Sequence, residues 1–122
     1  MKIAVSVGNP NLDAQVDPCF GKAPYFVVVD SETTAWEALE NRQKPEFHQG
    51  AGIQAAWTVV KGSPDVLLTG NCGPRAFKVF EARGIQICVQ VKGTAREAVQ
   101  GYLDGRYKTA KGPSVRGHCM PN

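Results

Sequence analysis

Hydrophobic and polar positions change their spacing along the chain, from alternation near the start to a helical period after Gly50. Residues 3–7 alternate as in a β-strand, and residues 25–30 form a second, strongly β-branched run. A turn at residues 30–33 then leads into a third predicted strand at residues 34–41. The pattern predicts an antiparallel meander of three strands.

Three helices are predicted in the second half of the chain. The first follows Gly50 and ends at Gly62, since its apolar residues recur every three or four positions. Pro74 opens the second, which ends at Gly84. The third begins at a Thr-x-x-Glu capping box and ends at a glycine. We expect the aromatic residues on the first two helical stripes to lie in the core: Trp57, Phe77 and Phe80.

Short apolar runs at residues 65–69 and 86–91 separate these helices and predict two further strands. The resulting order, β-β-β-α-β-α-β-α, predicts an α/β fold with a mixed five-stranded sheet and three helices. The first three strands are expected to be antiparallel, and the fourth and fifth parallel. A ribonuclease-H-like arrangement fits this order. Cys88, inside the fifth strand, is interpreted as a packing residue.

The charged residues are unevenly distributed along the 122-residue chain, although the net formal charge is only +3. Residues 106–122 contain four basic and no acidic residues, whereas residues 1–105 contain ten basic and eleven acidic ones. We therefore predict one domain over residues 1–105 and a basic, flexible tail over residues 106–122. Because the domain is not basic, no nucleic-acid partner is expected. No apolar run approaches the ~20 residues that cross a bilayer, so we expect no membrane association and a cytoplasmic protein.

Loops that follow strands are the expected place for a ligand, because the carboxyl ends of parallel strands converge in open α/β sheets. The long segment with Cys19 follows the first strand, the Gly-Asn-Cys-Gly turn at residues 70–73 follows the fourth, and residues 92–94 follow the fifth. The turn at residues 70–73 also opens a helix, whose N-terminus attracts anions and lowers the pKa of a nearby thiol. An anionic or metal-bearing ligand is the first hypothesis.

The candidate ligand residues are the cysteines, histidines and turn residues near this edge. The four cysteines are far apart without a Cys-x-x-Cys pair, and we expect free thiols. His118 and Cys119 in the tail add nitrogen and sulfur donors suited to a soft metal. The predicted cofactor-binding residues are Cys19, His48, Asn71, Cys72 and Gly73, and the predicted metal ligands are Cys19, Cys72, His118 and Cys119.

Enzyme motifs are missing from the sequence. There is no Walker lysine, no G-x-S-x-G and no H-E-x-x-H, and the first strand has no carboxylate of the kind that holds magnesium in ribonuclease H. We therefore predict a protein that is not an enzyme. Two alternatives stay open: an enzyme acting on a small anion with Cys72 as nucleophile and His48 as base, or a protein-interaction module that acts through the tail.

Four segments together resemble the dinitrogenase iron-molybdenum cofactor biosynthesis family: residues 1–5, 16–26, 50–56 and 69–77. They include D-P-C-F-G-K-A at residues 17–23 and G-N-C-G-P at residues 70–74, and the four segments are a specific signal only when taken together. The match runs in register over residues 1–105 and suggests a small stand-alone member.

The resemblance implies a ribonuclease-H-like fold without nuclease activity. It also implies a carrier of an anionic metal-sulfur cluster: the iron-molybdenum cofactor, its precursor or a related molybdenum-containing cluster. A protein that makes or accepts the cluster would be the partner. Cys19 stands where relatives often have histidine or arginine, and Cys72 stands at a position that varies in the family. A thiolate would favour softer metals there.

Overall fold

The computed structural model describes residues 1–43 and 50–114. Five strands form one sheet in the order β3-β2-β1-β4-β5. The strands are β1 (Lys2–Val7), β2 (Tyr25–Asp30), β3 (Trp36–Glu40), β4 (Val66–Leu68) and β5 (Gln86–Cys88). The helices are α1 (Ala51–Lys61), α2 (Pro74–Ala82) and α3 (Ala95–Leu103), and a short 3-10 helix spans Phe20–Lys22.

Strand pairing confirms the predicted mixed sheet. β1 pairs antiparallel with β2, and β2 with β3, whereas β4 is parallel to both β1 and β5. The predicted order of strands and helices is also confirmed. The ribonuclease-H-like label stays a prediction. In the described residues, no helix has the length and apolar character needed to cross a membrane.

Apolar side chains pack on both faces of the sheet. The apolar side chains of the central strand β1 are therefore buried on whichever face they lie. α1 and α2 cover one face, where Phe20 stacks against Phe26 and meets Phe80 edge-on. α3 covers the other face with Ala95, Ala98 and Val99. Cys88 lies in this second core as a free, buried thiol, as expected of a packing residue.

The starts of α2 and α3 follow the sequence signals. Pro74 occupies the first turn of α2. At α3 the Thr94 side chain accepts a hydrogen bond from the Glu97 N–H (3.1 Å), and the Glu97 carboxylate accepts one from the Thr94 N–H (3.0 Å). The bond from the Thr94 backbone lowers the pKa of the Glu97 carboxyl. The predicted capping box is therefore present.

The core assignment holds for Phe77 and Phe80 but is wrong for Trp57, whose side chain is 39% exposed. The Arg83 guanidinium lies over the indole, 4.9 Å from the ring centroid. The buried face of α1 consists of Ala55, Ala56 and Val59 instead. Small residues let α1 approach the sheet closely, and this leaves no room for the indole beneath the helix.

β5 ends at Cys88, three residues earlier than predicted. Gln90 has a left-handed backbone (φ 60°), which breaks the strand. Its N–H donates to the Gly70 carbonyl (2.7 Å), and the Val91 N–H donates to the Thr69 carbonyl (3.1 Å). These two hydrogen bonds hold the chain after β5 against the end of β4.

Residues 106–114, called here the C-terminal strap, lie against the domain beyond the predicted boundary at residue 105. The Ala110 N–H donates to the Ile87 carbonyl on the edge of β5 (2.7 Å). The Tyr107 ring packs so closely on Gly101 that a Cβ there would lie 2.9 Å from it. Packing therefore continues past Gly105, while the flexibility of the tail stays a prediction.

Candidate functional site

A cavity of about 330 Å³ opens at the carboxyl ends of β1, β4 and β5. Its walls are the three loops that follow these strands: Gln15, Val16 and Pro18 after β1, Gly70 and Asn71 after β4, and residues 90–93 after β5. This volume suits a small ligand. The site therefore forms where the sequence predicted the ligand-binding edge.

The chemistry of the cavity wall is amide, apolar and cationic. Gln15, Asn71 and Gln90 supply side-chain amides, and Lys92 supplies an ammonium group. Val16, Pro18 and Val91 supply apolar surface, and the described part of the lining contains no carboxylate. Such a wall attracts a negatively charged ligand with a partly apolar surface, because nothing in it repels an anion.

Asn71 connects the three loops. Its side-chain oxygen accepts a hydrogen bond from the Gln90 amide (2.8 Å), and its side-chain nitrogen donates to the Pro18 carbonyl (3.2 Å). One side chain thus holds the loop after β4 to the loops after β5 and β1.

Beneath the cavity, a pair of buried hydroxyls fixes the first loop. Ser6 and Thr69, at the ends of β1 and β4, lie 2.7 Å apart between their hydroxyl oxygens. The Ser6 hydroxyl also donates to the Asp17 carbonyl (3.3 Å), and the Asp17 N–H donates to the Ser6 carbonyl (2.8 Å). Because both hydroxyls are fully buried and bonded, the loop after β1 has a defined position on the sheet edge.

Gly70 allows this loop to lie directly on the turn after β4. A Cβ at Gly70 would lie 2.5 Å from the Pro18 Cα and 2.7 Å from the Pro18 carbonyl oxygen. Only glycine fits this approach. The closeness brings Cys19 beside Asn71, where the two form an isolated parallel bridge.

The structure brings together the predicted site residues Cys19, Asn71, Cys72 and Gly73, but their positions differ. Asn71 lines the cavity, and Gly73 caps the N-terminus of α2. Cys19 and Cys72 are 2% and 1% exposed and do not line the cavity. His48, His118 and Cys119 lie outside the described residues. The ligand roles of all these residues stay predictions.

Cys72 does not have the lowered pKa that its place before a helix suggested. Burial raises the pKa of its thiol from 9.0 to about 12. Its N–H donates to the Ser114 hydroxyl (2.9 Å), and its carbonyl accepts from the Ser114 N–H (2.9 Å). The effect of burial on the pKa is larger here than any effect of the helix N-terminus, so the thiol is protonated at neutral pH.

The expectation of free thiols also fails at one position. Cys72 and Cys88 are free, whereas Cys19 is disulfide-bonded. A disulfide sulfur has no thiolate to offer a metal until it is reduced. Within residues 1–43 and 50–114, no three His, Cys, Asp or Glu side chains are grouped to hold a metal ion.

Gln15, Gln90 and Lys92 are site residues that the sequence did not single out. The position of Lys92 directly after the fifth predicted strand was a usable signal. Gln90 offered none, because its role depends on a left-handed backbone that glutamine rarely adopts.

Comparison with known proteins agrees with the fold. The chain is similar to the apo form of the orange protein from Desulfovibrio gigas, with 44% identity and a TM-score of 0.87 over 93% of this chain and 96% of that one. It shares its fold with a putative NifB protein from Thermotoga, at 24% identity and a TM-score of 0.80 over 95% and 98% of the two chains. An uncharacterized protein of Methanocaldococcus jannaschii is 28% identical over 109 residues, 87% of this chain and 88% of its own.

A family model described as dinitrogenase iron-molybdenum cofactor matches residues 1–105. The match includes β1 to α3 and therefore all the loops that line the cavity. It associates the chain with the binding or carriage of a cofactor or cluster in general terms. The chain belongs to the dinitrogenase iron-molybdenum cofactor family.

Proposed function

We propose that this protein binds and carries an anionic, molybdenum-containing metal-sulfur cluster in the cavity at the carboxyl ends of β1, β4 and β5. The observation that supports this most is the wall itself, whose described residues supply one ammonium group, three side-chain amides and no carboxylate. The cluster is cargo rather than a resident cofactor, and the protein acts as a carrier rather than a catalyst.

The cavity wall fits such a cargo by charge and by polarity. A sulfido-metal cluster is a polyanion with a soft, weakly hydrated sulfide surface. Lys92 would neutralise part of its charge, and the amides of Asn71 and Gln90 would donate hydrogen bonds to sulfide. Val16 and Val91 would contact the remaining sulfide surface.

Weak attachment suits a carrier. Among residues 1–43 and 50–114, none that lines the cavity is a cysteine, histidine or carboxylate, so binding by these residues would rest on charge and hydrogen bonds. Such contacts break without metal-ligand exchange, and cargo can pass to an acceptor protein. The cytoplasm is the proposed location.

Metal analysis of protein from its native host tests the proposal. We expect anaerobically purified protein to contain molybdenum and acid-labile sulfide, and to show a visible absorption that is lost with the metal. The Lys92→Gln variant should retain less metal, whereas Lys61→Gln, an exposed lysine at the end of α1, should match wild type. Protein free of molybdenum and sulfide would contradict the proposal.

The alternative of a cysteine-dependent enzyme gains no support from the site. Its nucleophile would be Cys72, whose buried thiol has its pKa raised to about 12. A nucleophile needs a thiolate at working pH and access to substrate. We therefore keep the carrier as the proposed function.

A further inference from the structure

The C-terminal strap ends against Cys72, although the strap itself is not buried. None of its residues, 106–114, is fully buried, and Arg106, Lys108 and Lys111 are exposed. Cys72, which its last residue contacts, is only 1% exposed. A polar, mostly exposed segment therefore ends against one of the most enclosed thiols of the domain.

The end of the strap is fixed to the first turn of α2. The Cys72 N–H donates to the Ser114 hydroxyl, and the Ser114 N–H donates to the Cys72 carbonyl. The Ser114 hydroxyl also donates a longer bond to the same carbonyl (3.5 Å). The Cys72 N–H belongs to the turn that leads into the helix, where unpaired N–H groups attract anions. Ser114 thus occupies, from within the chain, a position that suits an anionic ligand.

The start of the strap is anchored, because the Tyr107 ring packs on Gly101 and the Arg106 N–H donates to the Gly101 carbonyl (2.9 Å). Residues 108–114 are held by fewer contacts. Ala110 donates to Ile87, Thr109 donates to the Gln86 side chain (3.3 Å), and Ser114 pairs with Cys72. Each such bond is individually weak. Segments with little buried apolar surface open far more often than the whole domain unfolds.

We propose that the C-terminal strap is an autoinhibitory cover, which must lift at Ser114 before Cys72 and the first turn of α2 can contact a ligand. Asn71, the neighbour of Cys72, lines the cavity, so lifting the strap extends the cavity toward α2. The class of ligand, a sulfido-metal anion, rests on the proposed function. The cover itself does not.

Pulsed alkylation of the full chain with iodoacetamide tests the cover, with each cysteine followed by peptide mass spectrometry. Ser114→Pro removes every hydrogen bond between these two residues, and Ser114→Ala keeps only the bond from the backbone N–H of residue 114. We expect the alkylation rate of Cys72 to rise about tenfold in Ser114→Pro and about threefold in Ser114→Ala. The strap variant Gly112→Ala is the control, because a Cβ there has nothing within 4 Å.

Cys88 distinguishes local opening from unfolding, since it lies in the opposite core. A higher alkylation rate at Cys72 alone supports the cover. An unchanged rate at Cys72, or an equal rise at Cys72 and Cys88 in both Ser114 variants, overturns it.

Titration with tetrathiomolybdate separates the cover from the proposed function. If both are correct, Ser114→Pro binds the anion at least threefold more tightly than wild type. If wild type and Ser114→Pro bind the anion equally well, the strap does not compete with the cargo, and that part of the proposal is wrong. Absence of binding in both contradicts the proposed function, and the alkylation result still decides whether the strap covers Cys72.

Discussion

The Gln90 side chain donates a 2.8 Å hydrogen bond to the Asn71 side-chain oxygen, and this contact joins the loops that follow β5 and β4. Asn71 donates in turn to the Pro18 carbonyl in the loop after β1. Since these loops are the walls of the cavity, its shape depends on residues that are far apart in the sequence.

Substitutions at Gln90 should separate backbone from side-chain effects. Gln90→Gly relieves the left-handed backbone but loses the amide, so we expect the free energy of unfolding to change by less than about 1 kcal/mol. Gln90→Val places a β-branched residue at φ 60° and should lower that free energy by about 1–3 kcal/mol. Urea unfolding measures both, and equal stability of the two variants would show that the backbone is not strained.

Gly70→Ala should be strongly destabilising. The new Cβ would meet the Pro18 backbone at 2.5–2.9 Å, and neither loop can retreat without breaking the Ser6–Thr69–Asp17 contacts. We expect a loss of about 2–4 kcal/mol in unfolding free energy, through overpacking against backbone. Gly8→Ala is the matched control, since nothing lies within 4 Å of its Cβ, and it should stay within about 0.5 kcal/mol of wild type.

Alkaline pH should destabilise the protein through Cys72. Its folded pKa, about 12, lies above the ordinary value of 9.0, so the folded state retains a proton that the unfolded state loses. The contribution of the Cys72 thiol to stability is therefore intact below pH 9 and falls as pH rises from 9 toward 12. Cys72→Ala should reduce this decline by up to about 1.4 kcal/mol per pH unit. Denaturant unfolding at several pH values measures it, and identical pH dependence of the two proteins would contradict the assignment.

Two aromatic residues from predicted helical stripes should differ in their contribution to stability. Phe80 is fully buried and meets Phe20 edge-on, so Phe80→Ala should lower the unfolding free energy by about 3–5 kcal/mol. Trp57 is partly exposed beneath Arg83, and Trp57→Ala should cost about 1 kcal/mol. Similar losses in thermal or urea unfolding would contradict the observed packing.

Much of the fold could be predicted because its local signals agree with its tertiary structure. β-branched runs became strands, Pro74 opened a helix, and Thr94 with Glu97 formed the capping box. The edge of the sheet at which the cavity lies followed from the order of strands alone.

The details of the site could not be predicted in the same way. The early end of β5 depends on the unusual backbone of Gln90, and the hydrogen bonds of Cys72 to Ser114 depend on a polar strap without an apolar pattern. Helical periodicity placed Trp57 on a stripe but does not determine how wide the buried face is. Each of these outcomes arises from contacts between distant segments.

Equilibrium titration with tetrathiomolybdate under anaerobic conditions tests the central claim, that this cavity holds a sulfido-metal anion through Lys92 and its amides. We predict saturable binding by wild type, loss of about tenfold or more in affinity for Lys92→Gln, and unchanged affinity for the control Lys61→Gln. Binding of equal strength by Lys92→Gln and wild type would contradict the account.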